Sequence, residues 1–191
     1  KGTLNEDEMR EGIKKGMLNH ELFPVFCISA LNDMGSGRLM GFIDNVAPSA
    51  ADLKHEQTVE GDTLECNAEG PTALFIFKTL YEPNLGQISF FKVKSGVITQ
   101  NDKLENSRND EIEILNQLYI MDGKNRQPVE KLVAGDIGAT LKLKYTETND
   151  TLRTKGSNIT IKPIQYPEPR INKCVNADDK DRKSTRLNSS H

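Results

Sequence analysis

The feature that most restricts how this chain can fold is a change of texture at Pro71. From there apolar and polar residues follow a period of two. Ala73, Phe75 and Phe77 alternate with Leu74, Ile76 and Lys78, and Ile112 and Ile114 follow. Ala139, Leu141 and Leu143 then alternate with Thr140, Lys142 and Lys144. Alternation of this kind sends successive side chains to opposite faces of an extended backbone. Glycines and the pairs Asn101-Asp102, Asn109-Asp110, Asp122-Gly123 and Asn149-Asp150 punctuate the segment. Short alternating runs at close spacing with turn signals between them predict an all-β antiparallel barrel of six strands over residues 71–165.

The first 47 residues read differently. Residues 6–17 are expected to be helical. Asn5 suits the N-cap, acidic Glu6, Asp7 and Glu8 fill the first turn, and Lys14 and Lys15 lie near the end, each sign matching the helix dipole. Met9, Ile13 and Met17 make its apolar face. Residues 22–28 (LFPVFCI) are almost wholly apolar, as in a strand buried on both faces of a parallel sheet, with Cys27 as a small core residue. A polar, glycine-rich loop follows. Ser36 is expected to cap a second helix whose apolar stripe is Leu39, Phe42, Ile43 and Val46. Helix, buried strand, loop, helix is an α/β fragment, too short to stand alone as a doubly wound domain. The polar residues 48–70 read as a linker or surface excursion.

Bulk composition excludes some classes. The chain has 191 residues, 36% hydrophobic and 28% charged, enough for a packed core. No apolar run is long enough to span a bilayer, and the charged opening residues do not resemble a signal peptide, so a cytoplasmic protein without a membrane partner is expected. Cys27, Cys66 and Cys174 are widely spaced, as in a reduced protein, and no CxxC metal site is present. Residues 181–191 (DRKSTRLNSSH) depart from the rest and read as a sequencing-adapter read-through that packs on nothing. Without them the balance is 22 basic to 27 acidic residues. Bulk charge of that sign does not favour general nucleic-acid binding, so any RNA contact must be local.

Three stretches carry a resemblance. GQISFFKVKSGVITQNDKLEN, LVAGDIGATLKLKYTETNDTL and IQYPEPRI stand in order over about 100 residues. They resemble the second domain of translational GTPases of the elongation factor G family and its passage into a third domain. FPVFCISALNDMGSGRLMGFIDNVAPS is similar to the end of that family's GTP-binding domain. The resemblance implies a divergent or second-copy member, read as an internal piece. Residues 1–47 would end the GTP-binding domain, 71–165 form domain II, and 166–180 begin domain III. Departures are Ile28 for a small residue, Lys92 and Lys94 for arginine and tyrosine, Asn149 for glycine and Arg153 for cysteine.

The same resemblance implies the function. Ser29, Ala30 and Leu31 match the family's guanine-specificity loop, where backbone N–H groups donate to the guanine carbonyl that adenine lacks. GTP or GDP is then the ligand, with Mg²⁺ in the intact protein only. There is no GxxxxGK(S/T) phosphate loop, DxxG loop or NKxD motif, so these residues are expected to have no catalytic or metal-binding residues and to be inactive alone. The implied partner is the ribosome. Lys92 with Lys94, and Lys142 with Lys144, each pair on one strand face, are candidate contacts to the ribosomal RNA of the small subunit, against the plainer reading of a solvated barrel face. A monomer that moves tRNA and messenger RNA through the ribosome is expected. Alternatives are a tetracycline-type ribosomal protection protein, a release-factor GTPase, or a non-catalytic RNA-binding barrel. His20 and His55 read as solvated, and the consecutive Glu6, Asp7 and Glu8 do not converge as metal ligands would.

Overall fold

The computed structural model describes residues 2–53, 56–83, 85–123 and 125–171. The expectation for residues 181–191 lies outside the described residues, as do those for His55 and Cys174. The chain divides into two compact units, Lys1–Lys54 and His55–His191.

In the first unit, α1 (Glu6–Leu18) starts with the expected cap. The Asn5 side chain accepts the Glu8 N–H at 2.8 Å and the Glu8 carboxylate accepts the Asn5 N–H at 2.8 Å, a reciprocal capping box. The second helix, α2 (Ser36–Asn45), is capped differently from expectation. Gly35 occupies the N-cap with φ of 80°, a left-handed value that suits glycine, and Ser36 is already the first helical residue. A Cβ on Gly35 would also lie 3.1 Å from the Ile28 side chain and 3.3 Å from the Cys27 carbonyl oxygen.

Residues 22–28 do not form the expected strand. No described residue pairs with them, and they are exposed: Phe23 is 73% accessible and Val25 89%. Cys27 is exposed as well, not a core residue. Pro24 lacks one N–H, and a strand needs neighbours to take up its remaining backbone groups. Neither helix carries a buried side chain. What orders this unit is local. Phe26 and Phe42 meet edge to face at 4.8 Å. Lys14 Nζ lies 2.9 Å from Asp52, whose carboxylate also accepts the Ser49 N–H and hydroxyl.

Among the described residues the second unit has strands and no helix. Its strands are β1 (Glu56–Gln57), β2 (Thr63–Leu64), β3 (Ala73–Glu82), β4 (Gly86–Ser95), β5 (Val97–Thr99), β6 (Lys103–Asn106), β7 (Ile112–Ile114), β8 (Leu118–Asp122), β9 (Asn125–Val129), β10 (Lys131–Val133), β11 (Ile137–Leu141) and β12 (Thr151–Arg153). Eight form one antiparallel sheet in the order β7-β6-β12-β3-β4-β11-β8-β9; β1–β2 and β5–β10 are separate antiparallel pairs. The expected all-β barrel is present, with more and shorter strands than six, as a barrel-like open sheet. Curvature is gained where strands break. Gly96 separates β4 from β5 and Gly135 precedes β11, and the Asn101 N–H and Asp102 carbonyl bond to Leu115 across the gap.

Leu74, Ile76, Phe91, Val93, Ile98, Leu118, Leu132 and Leu152 fill the interior. A second cluster, Leu64, Ala73, Phe75 and Ile161 with Phe77 and Ile159 against it, lies on the other face of β3. It brings residues from 56–64 and 159–161 onto the barrel; Thr58 and Ile161 share a bridge. Among the described residues no helix is long and apolar enough to cross a membrane.

Three outcomes are expected. In hydrogen exchange on the whole chain, amides of β3, β4 and β11 are protected far more than those of 22–28; equal protection would contradict the division of stability. Gly96 has φ of 76°, and a Cβ there would meet the Thr72 backbone at 2.6 Å. Gly96→Ala therefore costs about 1–3 kcal/mol or more, the range typical of overpacking. Gly123→Ala, with open space around it, costs less in the same denaturation series. The third outcome is a titration. The Lys14 hydrogen bond, and then Ser49, lower the Asp52 pKa from 3.8 to about 2. Its contribution to stability is therefore present above the ordinary carboxylate value and is lost as pH falls toward 2. NMR titration should place Asp52 there, and Lys14→Met should move it up.

Candidate functional site

The loop at Ser29, Ala30 and Leu31 is closed by Ser29 and Met34. Each donates its N–H to the other's carbonyl, at 2.9 and 3.0 Å, and the Asp33 N–H reaches the Ala30 carbonyl at 3.3 Å. Asp33 and Gly35 take left-handed backbone to complete the turn. Among the described residues the N–H groups of Ala30 and Leu31 donate to nothing. Ala30 is exposed and Leu31 is 97% accessible. The loop thus offers two consecutive free donors beside an unprotected aliphatic side chain.

The four lysines do not form one patch. Lys92 and Lys94 share the outer face of β4, but Lys94 is held: its Nζ lies 2.8 Å from Glu56 and 5.9 Å from the Phe75 ring, and its side chain is 14% exposed. Lys142 and Lys144 are not on a strand face, because β11 ends at Leu141 and Lys142 turns left-handed with φ of 59°. Both are exposed. The Lys142 N–H still bonds Gln87 at 2.9 Å, which sets it about 17 Å along β4 from Lys92 at the usual strand rise.

The alternation did not reveal a buried polar cluster that fixes the segment after β11. The Glu113 carboxylate, 4% exposed, accepts the N–H groups of Lys144 and Tyr145 at 3.2 and 2.6 Å and the Thr146 hydroxyl at 2.8 Å. The Asp150 carboxylate, 5% exposed, accepts the Asn106 amide at 2.8 Å, Arg108 at 2.8 and 3.0 Å and the Glu147 N–H at 2.8 Å. The hydrogen bond to Asp150 raises the Arg108 pKa further. A cleft of about 310 Å³ opens beside Arg108, Asp150 and Ile161. Its charges already satisfy one another, so the arrangement is scaffold. Asn149 has φ of 77°, the left-handed backbone expected where asparagine replaces glycine. The signal available in the sequence was the spacing of Thr146, Asp150 and Thr151 in TETNDT, polar residues where the strand pattern fails.

Residues 71–155 match the family described as elongation factor G domain 2. These residues are similar to the second domain of elongation factor G. The match contains two of the stretches on which the resemblance rested, residues 86–106 and 132–152, and its end at 155 falls just past β12. A crystal structure from Thermus thermophilus has the same fold with a TM-score of 0.70 at 20% identity, over 88% of this chain and 24% of that one. The chain therefore spans about a quarter of the length of that solved relative. The matched residues include both buried carboxylates, Glu113 and Asp150.

Asp150→Asn removes the charge facing Arg108 and should cost about 1.5–3 kcal/mol in urea denaturation, the range for hydrogen bonds to charged groups. Glu147→Gln, at an acid 74% exposed, should change stability very little. Equal effects would mean that Asp150 does not hold the segment.

Proposed function

We propose that this elongation factor-like chain is a section of a GTP-hydrolysing factor that moves tRNA and messenger RNA through the ribosome, with the elongation factor G domain 2 docking on the small ribosomal subunit. The match over residues 71–155 carries the reading. Residues 1–47 would be the end of the GTP-binding domain, and Ser29, Ala30 and Leu31 the loop that grips guanine. The free donors of that loop support this role. So does the exposed apolar segment 22–28, a composition suited to the middle of a parallel sheet. Phosphate and Mg²⁺ chemistry would come from other parts of the intact protein, since none of the motifs for it is present here.

The docking is tested by co-sedimentation of the chain with isolated small subunits. Retention that falls with added salt is expected, and no retention at low salt would refute it. The loop is tested in the intact protein by nucleotide titration. Ala30→Pro removes one donor and fixes φ, and should weaken GTP binding roughly ten- to a hundredfold, the equivalent of about 1–3 kcal/mol. Ala30→Ser keeps the donor and should cost much less. If Ala30→Pro binds GTP as tightly as its parent, the loop does not read the base.

A further inference from the structure

The outer face of the barrel carries aromatic rings beside uncommitted cations. In β3, Ile76 pairs with Phe91 and Lys78 with Phe90, which leaves Phe77 as a bulge. The extra residue turns two consecutive side chains, Phe77 and Lys78, to the same side. The Phe77 ring lies 6.4 Å from that of Phe90, and Lys78 Nζ stands 6.0 Å above Phe90. The register continues from Phe90 through Ala139 to Tyr119 and Pro128, so one row crosses β3, β4, β11, β8 and β9. That row is about 19 Å wide at the usual strand spacing. Arg126 lies 5.9 Å from the Tyr119 ring at its far end. In the next row Lys92 stands beside Ile137, which is 58% exposed.

The charge on this face opposes that of the chain, whose formal net charge is -3. Among the described residues Lys78, Lys92 and Arg126 make no ion pair, while Lys94 is neutralised by Glu56. By alternation the outward acid on these five strands is Glu82, at the tip of the β3–β4 hairpin. Three free cations beside two half-buried rings, Phe90 and Tyr119, match a strand of phosphates carrying stackable bases. An acidic peptide would use the charge without stacking on the rings.

We propose that this face is a stacking platform for unpaired nucleotides of RNA, in which Phe90 and Tyr119 meet bases and Lys78, Lys92 and Arg126 meet phosphates. It rests on the reading that ribosomal RNA is the partner, and it names a surface different from the Lys142 and Lys144 segment. Unpaired nucleotides are specified because a duplex hides the faces of its bases.

The test is fluorescence anisotropy of the 191-residue chain with a short oligouridylate, a duplex RNA of equal length and an oligoglutamate competitor. Phe90→Leu combined with Tyr119→Leu keeps apolar bulk and should weaken oligouridylate binding about tenfold or more. Lys78→Gln with Arg126→Gln changes exposed side chains that cannot threaten the fold. It should lower the salt slope by about 1.4, at roughly 0.7 per lost phosphate contact. Lys131→Gln with Lys155→Gln, off this face, should change neither. The proposal is overturned if duplex binds as well as single strand. It is also overturned if oligoglutamate displaces the RNA equally from parent and ring variants, or if the off-face pair weakens binding as much. Small subunits that still retain all the face variants would overturn this surface and leave the docking reading standing.

Discussion

The barrel depends on how the chain gets from β11 to β12. After Leu141 the ladder stops, and nine residues must cross the open end before Thr151 can slot between β3 and β6. Irregular backbone at that position leaves N–H groups without ladder partners, and burying them unpaired would cost more than the strand gains. Glu113 and Asp150 supply the missing acceptors. One takes two consecutive N–H groups and the Thr146 hydroxyl; the other takes the Glu147 N–H and is itself held by Asn106 and Arg108. Asn149 and Asp150 then pair with Ile76, and β12 follows in register. The interior contact of Leu152 with the core is a consequence of that clamp.

This explains what was legible in the sequence and what was not. The alternation at 73–78 and 139–141 reports a half-buried pleated surface directly, so the β class could be read from it. Strand number could not. Breaks at Gly96 and after Leu141 are set by turns and by carboxylates distant in sequence, and alternation carries no trace of either. Residues 142–144 continue the period of two without forming a strand, because Lys142 is left-handed and the next two N–H groups to be bonded are claimed by Glu113. Ser89 illustrates the same limit. It lies fully buried in β4, and its hydroxyl has no hydrogen-bond partner among the described residues, at a site where pattern alone would place any small residue.

Residues 2–53 show the converse. Its helices were legible because caps and dipole charges are local: Asn5, Glu8 and the acidic first turn lie within four residues of one another. A buried parallel strand is the least local element of all, since its stability comes entirely from neighbours on each edge and layers on each face. Composition at 22–28 therefore states what the segment requires, and the exposed Phe23 and Val25 show that the requirement is unmet within the described residues. The loop that follows is nevertheless closed by its own Ser29–Met34 pairing, so its donor geometry does not wait on a sheet.

The departures from the family pattern can be judged by whether they have partners. Arg153, where cysteine is frequent, is only 13% exposed, and a guanidinium there needs an acid. Glu105, equally buried, stands 3.1 Å away, and the same guanidinium reaches the Thr160 hydroxyl at 3.3 Å. Lys94, where the resemblance would place tyrosine, lies over the Phe75 ring, while Glu56 takes its charge. A long cationic side chain covers apolar surface with its stem in the way an aromatic ring does. Each of these two changes thus draws in a segment outside the central sheet, β1 in one case and residues 159–160 in the other. Lys92 and Asn149 differ from them. Asn149 meets a backbone demand alone, and among the described residues Lys92 makes no ion pair. Of the three changes that introduce a basic side chain or alter one, Lys92 is the one whose charge is not paired among the described residues.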